Sequence, residues 1–338
     1  MREVLKSAVV ITDGDLIFYH TGFYVEDGLL VIYNGQNYLF TDKRYFEDAL
    51  KFANATVYLN AVSPYQTFIK TLGVNQIGLI YGYTSALTYK ELESLGYSLY
   101  DCSESLESVY AIKTERQLST IKKACSIAEQ AFLKTLPFIK EGITELELSA
   151  ELEHNFKRLG GGVGFETIVA FGKGSSVPHY KTGSVKLEKN TPILMDFGCR
   201  YNGFLSDITR TLFFGEPTEQ FTSVYSAVKN AHSKAVNEIR SGMKCCEADA
   251  IAREYLNEYG YGDKFYHSLG HGIGVKVHEF PTLKPTSDTV LKDGMVFSVE
   301  PGVYLEGEFG VRIEDTVTLV DGKCVSLMTT DKDLLIIR

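Results

Sequence analysis

A chain of 338 residues with 44% hydrophobic and 12% aromatic side chains is long enough for two domains and too apolar for a disordered polymer. Its net charge of −9 argues against the basic surfaces that nucleic acid or an anionic membrane would require. No apolar run reaches the length of a membrane span or an export-signal core, and the six cysteines lack CxxC spacing, so free thiols in a soluble, cytoplasmic protein are expected.

Residues 1–110 alternate short strand and helix patterns. Ala8–Ile11 is apolar and β-branched. Gly28–Ile32 and Tyr38–Thr41 flank Asn34-Gly35, a hairpin turn pair. Thr56–Leu59, Gln76–Tyr81 and Tyr97–Tyr100 read as further strands, and Tyr65–Leu72 and Thr88–Leu95 as helices, the first entered through Ser63-Pro64. The expectation is an α/β domain with no glycine-rich phosphate loop and, taken alone, no chemistry.

Near Val109 the pattern changes. Leu118, Ile121, Ala124, Ile127, Ala128, Ala131 and Phe132 recur at helical spacing, which opens a second domain over residues 111–338. That domain repeats itself. Ala131, Lys134, Ile139, Gly142, Glu147, Ala150 and Gly160 return as Ala231, Lys234, Ile239, Gly242, Glu247, Ala250 and Gly260. With a slightly larger offset, Leu187, Asp196 and Gly198 return as Leu291, Glu300 and Gly302. Larger again, Asp207-x-Thr209-x-Thr211-Leu212 returns as Glu314-x-Thr316-x-Thr318-Leu319. Growing offsets are what loop insertions between similar elements produce, so an α+β domain with an internal pseudo-twofold axis is expected.

The acids obey the repeat: Asp196 matches Glu300, and Asp207 matches Glu314. Asn202-Gly203 at a hairpin tip places Asp196 opposite Thr209 and diagonal to Asp207, on one face. Four carboxylates meeting in an apolar sheet raise one another's pKa and call for cations; two divalent ions would balance them. His271 lies between Gly270 and Gly272, which would let the backbone approach an ion closely. One histidine among four acids suits Mn²⁺, with Co²⁺, Zn²⁺ or Fe²⁺ as alternatives. His179 and His278 fall at matching places in the two halves; His20, His154 and His232 have no such support.

Seven segments resemble, in order, the motifs of the creatinase/aminopeptidase family with the pita-bread fold. They are Ser176-Val177-Pro178-His179, Met195-Asp196-Phe197-Gly198, Ser206-Asp207-Ile208-Thr209-Arg210-Thr211, Gly270-His271-Gly272-Ile273-Gly274, Val277-His278-Glu279, Ser298-Val299-Glu300-Pro301-Gly302 and Val311-Arg312-Ile313-Glu314-Asp315. The resemblance implies five metal ligands, Asp196, Asp207, His271, Glu300 and Glu314. Glu300 would also serve as general acid/base. His267 and His278 would line the proline side and stabilise the oxyanion or leaving imide, and His179 would position substrate. Arg312 is left open between a metal-ligating acid and a substrate carboxylate.

Within the family, His267 four residues before His271 resembles proline peptidases rather than methionine aminopeptidases. Tyr19-His20-Thr21-Gly22-Phe23 and Thr41-Asp42-Lys43-Arg44-Tyr45-Phe46 resemble their N-terminal domain. The implied activity is metal-dependent cleavage of the Xaa-Pro bond in dipeptides or at peptide N-termini, by a homodimer. The alternatives are a methionine aminopeptidase-like activity and a non-catalytic binding module of the same fold; creatinase shares the fold but lacks the full acid set. Family members carry a longer helix before the first strand, where this chain has only Met1–Ser7.

Overall fold

The computed structural model describes residues 7–338, so nearly all of the lead segment Met1–Ser7 lies outside it. The chain divides at Val109/Tyr110 into two compact units.

The first unit holds β1 (Ala8–Ile11), α1 (Gly14–Thr21), β2 (Gly28–Tyr33), β3 (Gln36–Thr41), α2 (Lys43–Phe52), β4 (Thr56–Leu59), α3 (Tyr65–Thr71), β5 (Gln76–Leu79), α4 (Ala86–Ser94) and β6 (Ser98–Asp101). Its six strands form one mixed sheet in the order β4-β3-β2-β1-β5-β6. The turn Asn34-Gly35, with φ of 48° and 74°, closes the β2–β3 hairpin, a conformation that asparagine and glycine tolerate. Two expectations need correction. The strand from Gln76 stops at Leu79, and Tyr81–Tyr83 is a 3-10 turn. Helices α1 and α2 stand where none was expected. In each an aspartate caps the first turn: Asp13 accepts from the Leu16 amide and Asp42 from the Arg44 amide. Only Ala49 of α2 is fully buried, so no apolar stripe announces that helix.

The second unit begins as α5 (Ser103–Ala111) ends and repeats one motif: two helices, then a hairpin. The first copy has α6 (Glu115–Thr135), α7 (Glu145–Arg158), β7 (Gly162–Val163), β8 (Ile168–Phe171), β9 (Thr191–Phe197), β10 (Cys199–Tyr201), β11 (Phe204–Leu205) and β12 (Ile208–Phe214). The second has α8 (Glu219–Glu238), α9 (Cys245–Glu258), β13 (Gly270–Gly272), β14 (Glu279–Leu283), β15 (Val296–Val299), β16 (Gly302–Leu305), β17 (Phe309–Arg312) and β18 (Glu314–Val320). Short strands β19 (Lys323–Ser326) and β20 (Ile336–Ile337) attach at β18 and β12.

Local chemistry repeats along with the elements. Gly142 and Gly242 have φ of 84° and 93°, and Gly160 and Gly260 have φ of 85° and 80°. Glu147 and Glu247 each reach back to the amide that opens their helix, from Thr144 at 2.8 Å and Lys244 at 2.7 Å. The central sheet runs β14-β13-β15-β18-β12-β9-β8, so the two copies join where β12 pairs antiparallel with β18.

Strand alternation sends neighbouring side chains to opposite faces of this sheet. On the helix-covered face, Asp315 of β18 meets Arg210 of β12 at 2.9 Å and Lys332 at 2.8 Å. His232 of α8 lies here too, fully buried, its Nε2 3.8 Å from Asp315 and neither ring nitrogen hydrogen-bonded among the described residues. Burial, against the opposing pull of Asp315, lowers its pKa from 6.5 to about 4. Below 6.5 the unfolded chain binds a proton that the folded chain refuses, so stability drops as pH falls from 6.5 toward about 4. His232→Leu should therefore remove about 2 kcal/mol of the stability lost between roughly pH 7.5 and pH 5, measured as urea midpoints. An unchanged pH dependence would exclude His232 as a source of that loss.

Candidate metal centre

The opposite face of the same sheet gathers the acids. Thr209 of β12 pairs with Asp196 of β9 on one side and with Glu314 of β18 on the other, so one row crosses both copies. The Asp196–Thr209 register continues outward through Arg200↔Leu205 to the Asn202-Gly203 tip, so no bulge disturbs the face on which Asp196 sits. In the second copy Val299↔Asp315 and Gly302↔Arg312 share one register, which puts Glu300 across from Glu314.

One ligand atom each from Asp207, His271 and Glu314 lies within 4.8 Å of the others. His271 Nε2 is 3.3 Å from Glu300 Oε1 and 3.7 Å from Asp207 Oδ2. Asp196 joins through Arg312, whose Nη2 donates to Asp196 Oδ2 at 2.5 Å. All five proposed ligands are thus brought together. Asp207, His271 and Glu314 are buried, and the Asp196 and Glu300 side chains are each 15% exposed.

The protonation pattern is that of a site short of positive charge. Burial, and then the neighbouring carboxylates, push Asp207 and Glu314 well above the ordinary carboxylate range. Burial raises Asp196 as well, against the pull of Arg312. At Glu300 burial is outweighed by the hydrogen bond and charge of His271, which bring the carboxyl down to about 2. Burial opposes charge on His271 too, yet its bond to Glu300 raises it. Asp196 Oδ1 and Asp207 Oδ1 are buried without any hydrogen-bond partner among the described residues. His271 Nδ1 donates to the Gly272 carbonyl at 3.2 Å, so Nε2 is the nitrogen turned toward the acids, and it offers them a lone pair once its proton is displaced. Orphaned carboxylate oxygens and a correctly turned imidazole are the donor set of a hard-to-borderline divalent cation.

The chain matches the model of metallopeptidase family M24 over residues 119–321 and that of the creatinase/prolidase N-terminal domain over residues 1–112. The chain belongs to metallopeptidase family M24. It is 34% identical to the uncharacterized peptidase YqhT of Bacillus subtilis, over 97% of this chain and 95% of that one. Its fold superimposes on a Bacillus anthracis Xaa-Pro dipeptidase with a TM-score of 0.94 at 34% identity, covering 99% and 98% of the two chains. The X-Pro aminopeptidase of Thermotoga maritima gives a TM-score of 0.93 at 33% identity, covering 99% and 97%. An M24 chain is a metal-dependent hydrolase of the peptidase class, and the acid cluster is the part of this one suited to metal.

Around the cluster the M24 chain adds residues that sequence patterns left unread. Thr209 Oγ1 donates to Glu314 Oε2 at 2.6 Å, while Thr316 Oγ1 accepts from the Asp207 amide and donates to its carbonyl. Each threonine therefore steadies the acid of the other copy. Ser298 donates to Glu300 and accepts from the His271 amide. Tyr304 accepts from Arg312 Nη1 and hydrogen-bonds His267 Nε2, both at 2.8 Å. The Thr spacing is visible in the repeat; nothing in the sequence pointed to Tyr304.

Two expectations are corrected here, and one left open is narrowed. Gly270 and Gly272 belong to strand β13, and a Cβ on them would lie 1.9 Å from the Ser298 carbonyl oxygen and 2.3 Å from that of Phe280. They admit neighbouring backbone, not an ion. Arg312, left open between two roles, pairs with the acid Asp196 through Nη2, with Nη1 on Tyr304 and Nε on Thr209. His267 Nδ1 donates to the Ser268 carbonyl at 2.8 Å and Nε2 takes the Tyr304 hydroxyl, so the neutral ring has no N–H left for an oxyanion. His179 and His278 are exposed residues, though one side of the His278 ring is shielded by the His271 ring 4.3 Å away.

Proposed function

We propose that this chain cleaves the bond before proline, in dipeptides or at peptide N-termini, with two divalent ions held by Asp196, Asp207, His271, Glu300 and Glu314. The gathering of Asp207, Glu300 and Glu314 about the His271 ring, with Asp196 held by Arg312 and two of the four acids keeping an unbonded oxygen, supports this reading most strongly. Mn²⁺ is the proposed metal, on the oxygen-rich donor set. When bound, such ions acidify a water toward neutrality and polarise the scissile carbonyl.

The remaining work belongs to side chains. Glu300 takes the proton of the attacking water and passes it to the proline nitrogen as the C–N bond breaks. Arg312 fixes Asp196 through a short charge-assisted bond. With both ring nitrogens of His267 engaged, the oxyanion contact falls to His278, whose imidazole is kept below its ordinary pKa by burial and by His271. His179 positions substrate. We place the protein in the cytoplasm as a homodimer; six free cysteines accord with a reducing compartment.

Gly-Pro, a longer Xaa-Pro peptide and a Met-Ala peptide, each with and without Mn²⁺, form the test. Metal-dependent release from an Xaa-Pro substrate is expected. Cleavage of Gly-Pro alone would make the protein a dipeptidase, and cleavage of the longer peptide an aminopeptidase. Turnover of Met-Ala in preference to both would overturn the proline assignment.

A further inference from the structure

Among the buried or partly buried carboxylates outside the metal cluster, Glu145, Asp249 and Glu279 are each bonded to the segment that carries one of His179, His267 and His278. Glu145 on α7 is fully buried; its Oε1 accepts from the Phe171 amide at 2.9 Å. Its Oε2 accepts from the Gly183 amide at 2.9 Å and the Tyr180 hydroxyl at 3.1 Å, so it brackets His179. Asp249 on α9, 1% exposed, accepts from the Leu269 amide at 3.0 Å and from Arg253 Nε at 2.7 Å. Arg253 in turn donates to the Phe265 and His267 carbonyls at 2.6 and 2.8 Å, so this pair clamps His267. Glu279, beside His278, accepts from the Lys276 amide and from Lys113 Nζ, both at 2.9 Å. The Lys113 side chain is 1% exposed, and a Cβ on Gly274 would lie 2.2 Å from the Glu279 carboxylate.

An anion taken out of water is costly unless its oxygens are bonded, and for stability alone an apolar residue serves as well. What these carboxylates add is fixed geometry in loops without a strand ladder. Residues 172–176 and 262–264 are 3-10 turns, and 275–278 belong to no strand. The repeat frame matches Glu145 with Cys245 and Ser149 with Asp249, so the two helix-borne anchors sit one turn apart on equivalent helices.

We propose that Glu145, Asp249 and Glu279 are positioning residues that set His179, His267 and His278, respectively. The proposal rests on the reading of His179 and His278 as substrate-side groups and of His267 as the group that holds Tyr304 beside Arg312. The test is a double-mutant cycle in metal-loaded enzyme, with an Xaa-Pro substrate. Glu145→Gln, Asp249→Asn and Glu279→Gln are each made alone and together with His179→Ala, His267→Ala and His278→Ala. Each carboxylate variant is expected to lower kcat/KM by about 10- to 100-fold with bound metal unchanged. In the matching alanine background the loss should shrink to about threefold or less. Lys113→Met and Arg253→Gln, which release Glu279 and Asp249 from their far sides, should reproduce the pattern if a carboxylate variant does not fold. A carboxylate effect of full size after the histidine is gone would overturn the proposal alone. Unchanged turnover in all three alanine variants would overturn the site reading, and the proposal with it.

Discussion

Asp207→Asn should abolish measurable hydrolysis, a fall on the order of 10³-fold or more, because residues that hold one catalytic unit fail together. The amide keeps the shape of the side chain but carries no charge. It also turns an NH₂ toward a site already holding His271 Nε2 at 3.7 Å from the native oxygen. Metal content of the purified variant should drop along with turnover. Stability should respond with the opposite sign when metal is absent. The folded pKa of Asp207 is raised above its ordinary 3.8 by burial, then by Glu314, Asp196 and Glu300. Between those two values the folded chain holds a proton that the unfolded chain has released, so metal-free protein loses stability as pH climbs through the folded value. Asparagine removes that loss. At pH of about 8 the variant should melt above wild type without metal and below it with Mn²⁺. Near-normal turnover, or the same ordering of melts in both conditions, would remove Asp207 from the metal set.

The repeat was legible because it rests on residues with few substitutes. Gly142, Gly160, Gly242 and Gly260 occupy left-handed backbone, and Glu147 and Glu247 close helix starts, so both copies spend the same residues at the same places. The hairpin register was legible from Asn202-Gly203 for a related reason: a two-residue turn fixes every pairing beyond it. Helix α2 was not, because a helix buried only at Ala49 carries no periodic stripe and is marked solely by its Asp42 cap.

At the site, the acids could be found because all four sit at repeat-related positions, and Asp196 and Glu300 each follow an apolar strand run. Their supports could not. Thr209 and Thr316 serve acids of the opposite copy, a relation that exists only once β12 and β18 are paired. Tyr304 reaches Arg312 and His267 from the second hairpin, across 8 and 37 residues of chain. Glu145 and Asp249 break the repeat frame altogether. Sequence spacing reports what shares an element; bonds between elements become visible only in three dimensions.

Arg312→Met should be the most destabilising of the changes considered, and its effect should depend on metal. Arg312 is 3% exposed, and its guanidinium bonds Asp196 at 2.5 Å, Tyr304 at 2.8 Å and Thr209 at 3.1 Å. Methionine fills most of the volume but leaves Asp196 with neither oxygen bonded, since Oδ1 already lacks a partner. Removing one member of a buried pair costs about 3–5 kcal/mol, which a metal-free sample should show in full as a lower melting temperature. Mn²⁺ should return much of that loss, because cations then supply the charge that the guanidinium supplied. Turnover should stay about 10- to 100-fold low even when metal is saturating, since Asp196 and Tyr304 have lost the group that orients them. Arg312→Lys separates charge from geometry. It keeps the positive charge and should recover part of the metal-free stability, but one ammonium cannot span three partners as a planar fork does, so turnover should remain low. Paired thermal melts and kcat, with and without Mn²⁺, give all four numbers. If Arg312→Met melts like wild type without metal, the acid cluster is not held together by this residue, and the protonation pattern of Asp196 must have another origin.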